Sequence, residues 1–148
     1  MSKIHRFEDI QAWQEARSLT KDVYAASGQG RWEADYALKG QIRRAGISIM
    51  SNIAEGIERR TDTEFARFLA MAKGTASEVK AQLYIALDQG YIDQERFNDL
   101  YERCDKVSRY LGSFIRYLRR NDARCVTHVT QTRANDARRT THDPETQT

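Results

Sequence analysis

Proline is almost missing from this chain of 148 residues, and the one present, Pro144, lies near the C-terminus. A pyrrolidine ring removes a helical hydrogen-bond donor and clashes with the preceding turn, so residues 1–143 are free of the commonest helix breaker. Cysteine is scarce too. Cys104 and Cys125 lack the clustered spacing of a disulfide framework or a zinc site. Cys104 falls at an apolar helical position and reads as a reduced core thiol. The three histidines, His5, His128 and His142, include no pair at the helical spacing that holds a metal. No strand pattern precedes a glycine-rich phosphate loop, and no apolar run approaches the roughly 20 residues that cross a bilayer. The charged start of the chain runs into Glu8, Asp9 and Gln11 rather than an apolar signal core, so the expected compartment is the cytoplasm.

What remains is an ordinary globular composition, 40% hydrophobic and 30% charged, of a length suited to one domain. Glycine divides it. Gly28 and Gly30 bracket one break, Gly56 marks a second and Gly90 a third, leaving four helix-length segments. Phe7, Ile10, Trp13, Ala16, Leu19 and Val23 recur every three or four residues, which predicts a first helix over about 7–26. Leu38, Ile42, Ala45, Ile49 and Ile53 predict a second, with Gly56 placed as a left-handed C-cap.

Thr61 followed by Glu64 forms a capping-box pair that opens a third helix, through Phe65, Phe68, Leu69, Ala72, Ala76, Val79, Leu83 and Leu87. Small residues at Ala72, Gly74 and Ala76 would admit a close neighbour. Asp93 can cap a fourth helix whose face is Phe97, Leu100, Cys104, Val107, Leu111, Phe114 and Leu118. Four amphipathic helices on short connections bury their stripes most simply as an all-α, antiparallel up-and-down four-helix bundle over residues 1–120. After Arg120 the periodicity stops. Residues 121–148 are polar, with Val126 and Val129 isolated, and read as a disordered tail.

Two polar patterns stand out. On the second helix Gln41, Arg44, Ser48, Ser51, Asn52 and Glu55 run beside the apolar face. They are either a solvated flank or groups that fix register across a helix or subunit interface, with Glu78 of the third helix as a further candidate. Glu55 and Glu78 could act as acid or base, but no nucleophile, histidine or metal ligand shares their stripe, which argues against an enzyme or a cofactor. On the fourth helix Arg103, Lys106, Arg109, Arg116, Arg119 and Arg120 face one acid, Asp105, a net charge of +5 across residues 103–120. Lys106, Arg109, Arg116 and Arg120 form a stripe with Ser113 in its gap. Such a stripe suits an RNA or DNA backbone through counterion release, and equally suits a helix C-terminus whose cations pair with acids on neighbouring helices. Trp13, Trp32, Tyr36, Tyr84, Tyr101 and Tyr110 offer more aromatic surface than a small bundle readily buries, which predicts a homo-oligomer.

Several runs also resemble a known family. They are Phe7-Glu8-Asp9-Ile10 with Trp13-Gln14, Gln41-Ile42-Arg43-Arg44-Ala45, Ser51-Asn52-Ile53-Ala54-Glu55-Gly56, Glu64-Phe65-Ala66-Arg67-Phe68-Leu69, Ala72-Lys73-Gly74-Thr75-Ala76-Ser77-Glu78 and Gly90-Tyr91-Ile92. In order over about residues 7–118, they are similar to the bacterial 23S rRNA intervening-sequence, or four-helix bundle protein, family. The resemblance implies an up-and-down bundle that assembles as a cyclic homopentamer, from a family often encoded within insertions of large-subunit rRNA genes. More distantly, in shape and charge, the chain resembles the accessory protein of diversity-generating retroelements, a basic pentamer that partners a reverse transcriptase and its template RNA. Met50 departs from the family pattern, which commonly has proline in Ser-Ile-Pro-Ser-Asn, so the second helix is expected to lack a kink.

Overall fold

Every apolar stripe in the sequence finds a partner in the computed structural model, which describes the backbone of residues 4–139 and the side chains of residues 4–122. The helices are α1 (Gln11–Ser27), α2 (Tyr36–Ile57), α3 (Asp62–Asp88) and α4 (Gln94–Arg139), with single 3-10 turns at Phe7–Asp9 and Gly30–Ala34. The described residues contain no strand. Each helix packs on the next in the chain and α4 closes back on α1, giving an antiparallel up-and-down four-helix bundle. Leu19, Val23, Ile42, Ile49, Ile53, Leu69, Leu83, Leu100, Val107 and Leu111 are fully or almost fully buried in one core. Each such side chain contributes roughly 1.5–3 kcal/mol of hydrophobic stabilisation, which offsets the entropy of ordering the chain.

Side-chain caps set the helix starts. Thr61 Oγ1 accepts from the Glu64 amide at 3.2 Å and Asp93 Oδ1 from the Arg96 amide at 2.7 Å, as the sequence predicts. A third cap, missed by periodicity, is Asp35: its Oδ1 accepts from the Leu38 amide at 3.1 Å and its Oδ2 from the Tyr91 hydroxyl at 2.9 Å. That bond holds the Tyr91 proton and raises its pKa. It also ties the start of α2 to the α3–α4 turn, where Gly90 takes a left-handed φ of 73° and Arg31 donates to the Gln89 carbonyl at 2.7 Å.

Four expectations need correction. Gly56 is no left-handed cap: it lies buried inside α2, where a Cβ would come within 2.7 Å of the Phe65 ring and 3.0 Å of Phe68 Cβ. The residue is glycine because α3 crosses there. Gly74, placed among the close-packing residues, has nothing within 4 Å of its Cβ position, whereas Ala72 and Ala76 are fully buried. Trp32 is not an interface aromatic; the Gly30–Ala34 turn folds it into the core, stacked on Tyr91 at 5.9 Å, although Tyr36 and Tyr84 do stay exposed. On α4, Ile115 takes the core position given to Phe114, which instead meets Phe65 edge-on at 5.2 Å.

Without proline at position 50, α2 runs unbroken from Tyr36 to Ile57. The apolar face of α4 ends at Leu118, but its helical backbone continues to Arg139, through a stretch that contains neither glycine nor proline. Of the expected disordered tail, residues 140–148 lie outside the described residues, and residues 123–139 are described in backbone only. Among the described residues no helix is long and apolar enough to cross a membrane.

Gly56→Ala is expected to destabilise the bundle by about 1 kcal/mol or more, because overpacking against Phe65 exceeds the helix-propensity gain. Gly74→Ala should stabilise it by about 0.5–1 kcal/mol, so urea melts of the two variants should shift in opposite directions. Cys104 is buried and unpaired, and burial pushes its thiol up to about 12. Since the folded state favours the neutral thiol, this stabilisation is complete below the ordinary value of 9.0 and declines as pH rises toward 12. In a Cys125→Ser background the thiol should react with dithionitrobenzoate only at the rate of unfolding; immediate reaction in native buffer would refute the burial.

Candidate nucleic-acid and subunit interfaces

The six cations of α4 do not form one surface. Arg103 lies on the α1 side, where its guanidinium pairs with Asp22 and donates to Ser18 Oγ at 2.6 Å, with Asp99 3.8 Å away. Lys106 also turns to α1, with its ammonium 3.0 Å from Glu15; that carboxylate raises its pKa. Both residues are thus engaged in holding α4 to α1. Arg109, Arg116, Arg119 and Arg120 are exposed and have no acidic partner among the described residues. Asp105, the lone acid of this stretch, pairs with Lys80 of α3 and raises its pKa by accepting its hydrogen bond. The basic stripe of the sequence therefore divides into an upper part neutralised by α1 and a lower part without acidic partners among the described residues. Spacing alone could not show this, because the acids concerned lie on another helix.

The polar line of α2 borders α3. Gln41, Arg44 and Ser48 face Thr75, Glu78 and Gln82 across a groove of about 350 Å³. Arg44 and Glu78 are exposed in it, and Gln82 Oε1 is buried there without a hydrogen-bond partner among the described residues. Asn52 does not reach across. Its amide donates to the Ser48 carbonyl at 2.9 Å and to Ser48 Oγ at 3.1 Å, both on its own helix. Glu55 is exposed at the end of the same flank. Next to the groove Met71, Thr75, Glu78, Gln82 and Ile85 follow one another at steps of four and three along α3, and Met71 and Ile85 are each 47% exposed. Ile47, adjoining Ser48, is 46% exposed.

A second groove, of about 420 Å³, lies between α3 and α4 and brings Lys73 together with Arg116 and Arg119. Sequence reasoning missed Lys73. The available signal was its place seven residues before Lys80, on the α3 edge that faces α4. Among the described residues no group of three or more histidine, cysteine, aspartate or glutamate side chains is arranged to hold a metal ion.

Comparison with known proteins agrees with the bundle. A crystal structure of a protein of unknown function from the S23 ribosomal protein family of Bacteroides thetaiotaomicron VPI-5482 superposes with a TM-score of 0.64 at 20% identity. It covers 70% of this chain and 97% of that one, a likeness of fold. No match is found among curated proteins. The family model described as 23S rRNA-intervening sequence protein matches residues 8–113, which spans parts of all four helices and the α2–α3 groove and ends before Arg116, Arg119 and Arg120. The chain belongs to the 23S rRNA-intervening sequence protein family.

Proposed function

We propose that this protein is a non-enzymatic cytoplasmic scaffold whose α4 engages RNA, or a nucleic-acid enzyme such as a reverse transcriptase together with its RNA. The reading rests on one observation: Arg109, Arg116, Arg119 and Arg120 are exposed and unpaired among the described residues, whereas the neighbouring Arg103 and Lys106 are neutralised by α1. Arginines held on a rigid helix gain affinity for a phosphate backbone by releasing its condensed counterions, with little dependence on base sequence. Assembly of several copies would present the same patch repeatedly and raise the effective affinity.

A second reading has its own support. Met71 and Ile85 lie on the same face of α3 as Glu78, which lines a polar groove with Arg44, and exposed apolar side chains beside charged groups suit a contact between copies. On this reading the protein is a homo-oligomeric interaction module, with a pentamer as the number that family resemblance implies, and Ser48, Asn52 and Glu55 border the contact.

A labelled single-stranded RNA should bind the wild-type protein at low salt, and the logarithm of affinity should fall linearly with the logarithm of salt concentration. Arg109→Gln with Arg120→Gln should flatten that slope by about 0.7 per lost phosphate contact without unfolding the bundle. Arg103→Gln should lower the melting temperature and leave the slope unchanged. Absence of RNA or DNA binding at low salt refutes the nucleic-acid reading. For assembly, light scattering at micromolar concentration should give an oligomer that Met71→Glu with Ile85→Glu dissociates to folded monomers; a monomeric wild-type protein refutes the second reading.

A further inference from the structure

The α3–α4 seam is antiparallel, and Lys73 and Lys80 lie seven residues apart on its α3 side. Lys80 of α3 pairs with Asp105 of α4. One heptad along, Lys73 should meet residue 112 in the same relation, but that residue is Gly112 and provides no carboxylate. Arg116 turns into the space instead. A Cβ built on Gly112 would lie 3.5 Å from Lys73 Nζ and 3.6 Å from Arg116 Nη1. Two cations so close to one point are within about 7 Å of each other, where they repel one another and an anion between them would be attracted to both. Neither has an acidic partner among the described residues.

We propose that the groove between α3 and α4 is a subsite for a phosphate group, held between the Lys73 ammonium and the Arg116 guanidinium, with Arg119 at its rim. The groove has room: its volume is about 420 Å³, and Gly74 and Gly112 leave its walls without side chains. The Ser77 hydroxyl lines it and offers a neutral donor. An ammonium supplies a compact charge and a guanidinium a planar fork, and a tetrahedral oxyanion can accept from both on different oxygens. Arg109 and Arg120 on the same helix can meet adjoining phosphates of a strand that enters the groove. The source of the phosphate thus rests on the nucleic-acid reading above, while the subsite itself does not.

The test uses the full chain and two variants. Gly112→Asp restores at position 112 the acid found at Asp105; its Cβ makes only ordinary contacts, so the bundle should fold, as circular dichroism can verify. Lys73→Gln removes one cation. Calorimetric titration with sodium pyrophosphate at constant ionic strength should show saturable binding to the wild type and none to Gly112→Asp. RNA affinity at 0.1 M salt should fall about fivefold in Lys73→Gln and the salt slope flatten by about 0.7, one phosphate's contribution.

Pyrophosphate binding to the wild type alone, with no RNA binding, supports the subsite and overturns the nucleic-acid reading. RNA binding weakened in both variants, with no pyrophosphate binding, supports a subsite filled only by a polymer phosphate. Unchanged RNA binding in both variants together with no pyrophosphate binding overturns the subsite and leaves the nucleic-acid reading to Arg109 and Arg120. Dissociation of an oligomer by the variants, with pyrophosphate binding absent from the wild type, also overturns it, because the occupant is then a carboxylate of a second copy.

Discussion

The antiparallel register of α3 against α4 constrains the rest of the molecule. These two helices bury Leu69, Val79, Leu83, Leu100, Val107 and Leu111 in one core, and their edges are locked by Lys80 with Asp105 on one flank. A slip of one turn along this seam would separate that pair and part the Phe65 ring, which also packs over Gly56 of α2, from Phe114 of α4. Lys80 is partly buried, so losing its carboxylate would cost more than loss of a surface pair, where solvent screens most of the attraction. The caps at Thr61 and Asp93 then start α3 and α4 at fixed residues, and helix ends need no further specification.

Periodicity made most of the fold legible. The stripes from Leu19 to Leu111 name the core because a 3.6-residue repeat places them on one face whatever the tertiary context. What periodicity could not resolve were choices decided by a neighbouring helix. Phe114 and Ile115 both fit the α4 stripe, and the position of Phe65 selects Ile115 for the core. Gly56 looked like a cap because glycine is common at helix ends, but the approach of Phe65 and Phe68 gives it a different purpose. Trp32 sits in a segment too short for any period, and only the folded turn shows that it is interior.

The same limit applies to the candidate sites. The line Gln41, Arg44 and Ser48 was legible as a flank, and it does border a groove, because residues three and four apart share a face. Whether a cation on α4 is free depends on Glu15, Asp22 and Lys73, which lie far away in sequence. Their acids and spaces appear only when helices are set side by side. A linear count of charge across residues 103–120 therefore overstates what a ligand would meet at Arg103 and Lys106 and omits what it would meet at Lys73.

One consequence concerns how charge is arranged along α4. The cap and first turns of α4 bear Asp93, Glu95, Asp99 and Glu102 against a single cation, Arg96, while the charged residues from Arg109 to Arg120 are all cations. The two stretches lie at opposite ends of the bundle, since Tyr91 touches the start of α2 and Asp122 bonds to Thr63 at the start of α3. The charges of α4 are thus segregated along its length, with acids at its N-terminal end, where they complement the helix macrodipole, and cations from Arg109 to Arg120. Ions in solution screen that complement, so the first turn of α4 owes part of its helical stability to the medium, whereas the buried middle of the helix does not.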